Sequence, residues 1–149
     1  MEYVLGFYFS KTLEGVALIR KKRPSFLVNK LNGIGGKIEA GETPLEAMKR
    51  EAFEEAGISL DTAWEFYESK LFGDILGHVF YAVENEHITT IITKTDEEVF
   101  MISPSAILNN TLNLVIDGVQ IGLNEGVKEF IKDILMKLYV ERIGVDGVK

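Results

Sequence analysis

The chain has 149 residues, 46% of them hydrophobic and none of them cysteine. That is the size and apolar content of one ordinary domain with a proper core, and it excludes a disordered tail, a disulfide-stapled scaffold and thiolate chemistry. Sixteen basic against 23 acidic residues leave a formal charge of −7, which argues against duplex nucleic acid as a partner and means that a phosphate ligand needs a local basic patch or a divalent cation.

No apolar run approaches the ~20 residues of a membrane span, and the start of the chain lacks a secretory pattern. The expectation is a soluble, unprocessed, cytoplasmic protein with no membrane partner. No repeat, low-complexity tract or linker interrupts the sequence, so residues 1–149 are expected to form a single domain. Nothing in the sequence selects between a monomer and a homodimer.

In chain order, Val4 to Phe9 and Val16 to Ile19 are β-rich runs joined by a polar connection, the pattern of a hairpin-like pair. Arg20 to Asn32 reads as a loop, and Gly33 to Ile38 as a short, glycine-crowded strand. The spacing then predicts a helix from Pro44 to Ala56: Thr43 and Glu46 form a capping box, Pro44 suits the first turn, and Gly57 supplies the stop. Strands are predicted at Ala63 to Phe72, Ile75 to Val83, Thr89 to Thr93 and Val99 to Ile102, and Ser103-Pro104 can open a short helix. Near the end, Val127, Phe130, Ile131, Ile134, Leu135, Leu138 and Tyr139 recur at the spacing of one buried helical stripe. Together these elements predict an α/β fold (α+β by some schemes), with a mixed sheet sandwiched by helices.

On the Pro44 to Ala56 helix, Glu51, Glu54 and Glu55 fall within an arc of about 100°, with Leu45, Ala52, Phe53 and Ala56 opposite and Met48 at the border. Like charges at these spacings repel by a few tenths of a kcal/mol per pair. A solvated acidic face, with Arg50 pairing Glu54, is one explanation. The other is a cation: magnesium takes hard oxygen ligands, and glycines just before the helix allow a main-chain carbonyl to approach it.

Gly36-Lys37-Ile38-Glu39-Ala40-Gly41-Glu42, seven residues, and then Arg50-Glu51-Ala52-Phe53-Glu54-Glu55-Ala56-Gly57-Ile58 resembles the Nudix box, G-x5-E-x7-R-E-U-x-E-E-x-G-U. Nine specified positions stand in register, with Ala52 where a larger aliphatic is usual. Asn29 to Glu39 is similar to the MutT-type branch of that family. The resemblance implies an α/β/α sandwich and hydrolysis of a nucleoside diphosphate derivative with Mg²⁺, Mn²⁺ being a substitute. The substrate implied first is a nucleoside triphosphate, including oxidised purine nucleotides, cleaved to a monophosphate and pyrophosphate. A sugar nucleotide, a dinucleoside polyphosphate, a capped RNA end and a non-catalytic nucleotide-binding module are the alternatives.

By the same resemblance, Glu51, Glu54 and Glu55 match metal-binding glutamates, and the carbonyl of Gly35 matches a main-chain metal ligand. Glu51 or Glu54 would orient or deprotonate the attacking water, Arg50 would orient a glutamate, and Glu42 would be structural. Some members add an acid from a late loop, and among Asp96, Glu97 and Glu98 the expectation falls on Glu98. Asn32 stands where MutT-type enzymes read a purine edge, although Asn before Gly is also a common turn pair. In the basic run Arg20 to Arg23, Lys21 is expected to contact phosphates, as is Lys37. His78 and His87, and the aromatics Trp64, Phe66 and Tyr67, are read as structural.

Overall fold

The computed structural model describes residues 1–85 and 91–147. Among these are nine strands: β1 (Glu2–Phe9), β2 (Val16–Arg20), β3 (Lys30–Asn32), β4 (Ile34–Lys37), β5 (Glu65–Phe72), β6 (Ile75–Val83), β7 (Val99–Ile102), β8 (Leu114–Ile116) and β9 (Val119–Leu123). Three α-helices accompany them: α1 (Pro44–Ala56), α2 (Pro104–Leu108) and α3 (Val127–Gly147). No helix among the described residues is long and apolar enough to cross a membrane.

The sheet is mixed and runs β5-β6-β1-β2-β3-β9-β8, with β4 added to β1 and β7 to β2. β1 is its pivot. Along one edge β1 pairs with β6 in parallel, from Glu2 against Leu76 to Phe9 against Val83. Along the other it pairs first with β4 (Tyr3 to Gly6) and then with β2 (Tyr8, Phe9), both antiparallel. The expected β1–β2 pair therefore forms, but over a short register, because β4 takes the first half of that edge.

Alternation along the strands divides the core in two. Phe7, Phe9, Leu18 and Val79 face α3, whose Phe130, Ile131, Ile134 and Leu135 complete that layer. Val4, Tyr8, Ile34 and Phe80 face α1 through Ala47, Met48, Ala52 and Ala56. Helix–sheet–helix layering is thus the α/β/α sandwich expected from the sequence.

Helix α1 has the predicted ends. Thr43 Oγ1 accepts from Glu46 N–H at 3.1 Å, Glu46 Oε1 accepts from Thr43 N–H at 3.0 Å, and Gly57 closes the helix at φ 69°. Its buried side differs from expectation: Met48 is fully buried, whereas Phe53 is 43% exposed with Lys94 Nζ 4.0 Å above its ring. The β5 strand begins at Glu65 rather than Ala63. Thr89 and Thr90 lie outside the described residues, as does His87, and Ile91 to Thr93 carry no regular structure. β3, β8 and β9 escaped the sequence reading, although Asp117-Gly118 between β8 and β9 is a hairpin turn signal.

Candidate active site

The site starts where β4 passes the carboxylate face of α1. Gly36 carries no side chain there, and a β-carbon built on it would stand 2.6 Å from Glu51 Oε1. One residue earlier, the Gly35 N–H donates to Glu55 Oε2 at 3.3 Å. N–H and C=O of one strand residue leave the same edge, so the Gly35 carbonyl also leaves β4 on the side of Glu55. Glu51 and Glu55 lie one helical turn apart and are close enough to share a hydrogen bond. Burial pushes the Glu55 carboxyl up to about 9, the Glu51 charge pushes it the same way, and Lys21 and the Gly35 N–H oppose them.

Arg50 ties this face together. Its Nε and Nη2 donate to the two oxygens of Glu42 at 2.7 and 3.0 Å, Nη1 donates to Glu51 at 2.9 Å and to Glu54 at 3.2 Å, and Nη2 reaches the Lys37 carbonyl at 3.2 Å. Glu42 and then Glu51 hold the guanidinium firmly charged, and the Arg50 bond in turn lowers the Glu42 carboxyl. Glu54 is 54% exposed at its side chain and shares Arg50 Nη1 with Glu51. Among the described residues no three acidic or histidine side chains form a ready-made metal cage. The donor set nevertheless suits a hard divalent ion. Two carboxylates in contact need a proton or a cation between them, and magnesium needs only a few protein oxygens, completing its shell with water and substrate phosphate.

A second acidic segment meets the basic run. Glu98 Oε1 accepts from Arg20 Nη1 at 3.0 Å, Glu97 Oε1 accepts from Lys21 Nζ at 3.1 Å, and Asp96 pairs with Arg23. Glu97 is the buried member at 6% exposure, and its second oxygen accepts the Lys22 N–H at 2.6 Å. Because Lys21 also acts on Glu55, the Glu97–Lys21 pair stands beside the carboxylate pair.

A cleft of about 660 Å³ opens from Gly35 and Gly36, past Lys21 and Asn32, to Phe72 on β5 and Phe130 on α3. Gly77 makes its floor possible: a β-carbon there would lie 2.7 Å from the Phe72 ring. The Oδ1 of Asn32 is buried at this cleft without a hydrogen-bond partner. Unmatched buried polar atoms are rare and costly.

Comparison with known proteins agrees with the box and the layering. The family model described as NUDIX domain matches residues 5–117, most of the chain. The chain belongs to the Nudix family. It is 34% identical over 87 residues to an oxidized purine nucleoside triphosphate hydrolase of Mus musculus, covering 54% of this chain and 53% of that protein. It is also 44% identical over 48 residues to the protein of the same name in Danio rerio, covering 32% and 31%. The matched stretch thus spans about half the length of the mouse relative and about a third of the fish one. In fold, the chain is similar to a MutT structure from work on Aliivibrio salmonicida and Vibrio cholerae, with TM-score 0.69 and 18% identity, covering 91% of this chain and 97% of that one. The NUDIX domain of Shewanella oneidensis NrtR complexed with ADP ribose matches with TM-score 0.73 and 12% identity, covering 93% and 88%.

Against this Nudix frame, the residues singled out from sequence divide. Gly35, Arg50, Glu51 and Glu55 come together, with Lys21 beside them and Asn32 in the cleft. Glu54 belongs to the Arg50 network. Glu98, on which the expectation fell, pairs with Arg20 at half exposure, and its neighbour Glu97 is the buried acid beside Lys21. Lys37 is exposed at the end of β4 and does not line the cleft; it contributes its carbonyl to Arg50. In the basic run, Arg20, Lys21 and Arg23 are each paired with an acid. His78 bridges Glu2 and Ser69 at 2.7 Å on either side, and Trp64 is buried, so both are structural as read. The sequence does not place Phe72 and Phe130 at a cleft, because strand and helix patterns show that an aromatic is apolar but not what it borders.

Proposed function

We propose that this chain hydrolyses the diphosphate linkage of a nucleotide, with a purine nucleoside triphosphate, including oxidised forms, as substrate and a monophosphate and pyrophosphate as products. The observation that carries the reading is the juxtaposition of the Glu51–Glu55 pair with a cleft lined by Asn32, whose Oδ1 has no hydrogen-bond partner. One end suits a metal-bound phosphate and the other a base. The names of the mouse and zebrafish relatives point to the same substrate class.

Glu51 and Glu55, with the Gly35 carbonyl, would hold Mg²⁺ or Mn²⁺. When bound, the metal neutralises charge on the phosphates and lowers the pKa of water. Arg50 fixes Glu51 and Glu54 in place and neutralises part of their repulsion, and Glu54 is exposed enough to accept a proton from water. Lys21, held by Glu97, keeps a positive charge beside the carboxylates where a phosphate would dock. Asn32 offers amide donor and acceptor to a base edge.

The test is pyrophosphate release from a panel of nucleoside triphosphates, sugar nucleotides, dinucleoside polyphosphates and capped RNA, with products identified by mass spectrometry. Activity should disappear in EDTA and return with excess Mg²⁺, and purine triphosphates should lead. Turnover under thorough chelation would overturn the metal mechanism. Preference for another class would replace the substrate, and Mg²⁺-dependent binding without turnover would make the protein a nucleotide-binding module.

A further inference from the structure

The end of the cleft farthest from the carboxylates holds a cation that the reading above does not use. Lys70, on β5, lines the cleft, and its Nζ lies 6.0 Å from the Phe72 ring centre and 5.8 Å from that of Phe130. Those rings are themselves 6.2 Å apart. Among the described residues Lys70 forms no salt bridge, although Glu125 and Glu129 also line the cleft. A cation over aromatic faces is held by the ring quadrupoles while its three N–H donors remain available.

Sheet register places this ammonium relative to the phosphate end. Lys70 stands opposite Gly77, Gly77 opposite Tyr3, and Tyr3 opposite Lys37 at the end of β4. Three strand steps of ~4.8 Å separate its Cα from β4 by about 14 Å. A diphosphate held by Gly35, Glu51 and Glu55 is therefore out of reach. What a nucleotide presents at that distance is its base, lying between Asn32 on one wall and Phe72 with Phe130 on the other.

We infer that Lys70 is a specificity residue that donates a hydrogen bond to a ring carbonyl of an oxo-purine. Lysine offers donors only, so it accepts a carbonyl oxygen and rejects an exocyclic amine at the same position. Such a charged donor discriminates by far more than shape does, because the wrong group leaves both partners unpaired. The inference rests on the reading that a nucleotide occupies this cleft. The carbonyl could stand at the 6- or the 8-position of the ring, and matched ligands separate the two.

The experiment is calorimetric binding of AMP, IMP and 8-oxo-AMP to the wild type, Lys70→Met and Lys70→Arg. IMP replaces the 6-amino group with a carbonyl, and 8-oxo-AMP adds a carbonyl at the 8-position. The wild type should bind one of the two oxo ligands at least about ten-fold more tightly than AMP. Lys70→Met, which keeps the chain length against the rings, should abolish that preference, and Lys70→Arg should retain most of it. An unchanged preference in Lys70→Met, an equal loss for all three ligands, or no binding of any of them by the wild type would overturn the inference. Failure of the hydrolysis assay with an intact, Lys70-dependent binding preference would instead remove the proposed reaction and leave the recognition standing.

Discussion

A β-carbon on Gly36 would stand 2.6 Å from Oε1 of Glu51, whereas one on Gly35 would overlap the main-chain carbonyl oxygen of Val4. Two adjacent glycines thus have different jobs. Gly36→Ala should move the flexible carboxylate, leaving the fold intact and lowering kcat about 10-fold or more. Gly35→Ala should push β4 off β1 and lower the melting temperature. Circular dichroism melts alongside turnover check both, and equal melting temperatures for the two variants would show that the strand pairing tolerates a methyl group.

Arg50 is the next test, because its planar fork holds Glu42 with two bonds while Nη1 serves Glu51 and Glu54. Lysine cannot reproduce that fork. Arg50→Lys should reduce kcat by about 10-fold or more, with KM changed less, since the defect is in orienting carboxylates rather than in binding nucleotide. A wild-type kcat in this variant would reduce Arg50 to a surface partner of Glu54.

Glu55 makes the metal-free protein sensitive to pH. Its carboxyl is raised by burial and by Glu51 to about 9 in the folded chain, against an ordinary value of 4.5. The folded state therefore keeps a proton that the unfolded chain gives up. The resulting stabilisation is fully present below about pH 4.5 and is lost as pH rises toward 9, by at most about 1.4 kcal/mol per unit. Chemical denaturation in EDTA across this range should show a downward slope that Glu55→Gln flattens. At pH 7, Mg²⁺ binding should release up to one proton, measured by calorimetry in buffers of different ionisation enthalpy. A slope identical in wild type and variant would place the titration elsewhere.

Glu97 and Glu98 are neighbours in sequence with different surroundings. Glu97→Gln frees Lys21 from its buried partner and should cut kcat/KM by about 10-fold, while Glu98→Gln loosens a half-exposed pair with Arg20 and should stay within about 2-fold of wild type. Steady-state kinetics on both variants decides, and the reverse order would return the inward role to Glu98.

Asn32→Ala removes from the cleft an amide whose Oδ1 has no partner. KM should rise for the preferred purine nucleotide and the ranking among bases should flatten, with kcat affected less, on a scale of roughly 1 to 3 kcal/mol. Equal losses on every nucleotide would assign Asn32 to a structural role at the end of β3 instead.

The chemistry of α1 was legible from the chain because its signals are local. The Thr43–Glu46 box, Pro44 and Gly57 fix where the helix begins and ends, and a fixed 3.6-residue period then sets which face Glu51, Glu54 and Glu55 share. Gly36 was legible for the same reason, lying a few residues upstream. What only the tertiary structure decided depends on contacts between segments far apart in sequence. β4 docks on β1 and so brings its bare glycines against Glu51 and Glu55, while Arg50 bridges Glu51 and Glu54. The pairing of residues 20–23 with 96–98 makes Glu97, not Glu98, the buried acid, and gives Arg20, Lys21 and Arg23 acidic partners that no local pattern shows. Lys70, Phe72 and Phe130 share one cleft only because β5 and α3 meet on the same face of the sheet, and that closure is a property of packing rather than of any local pattern.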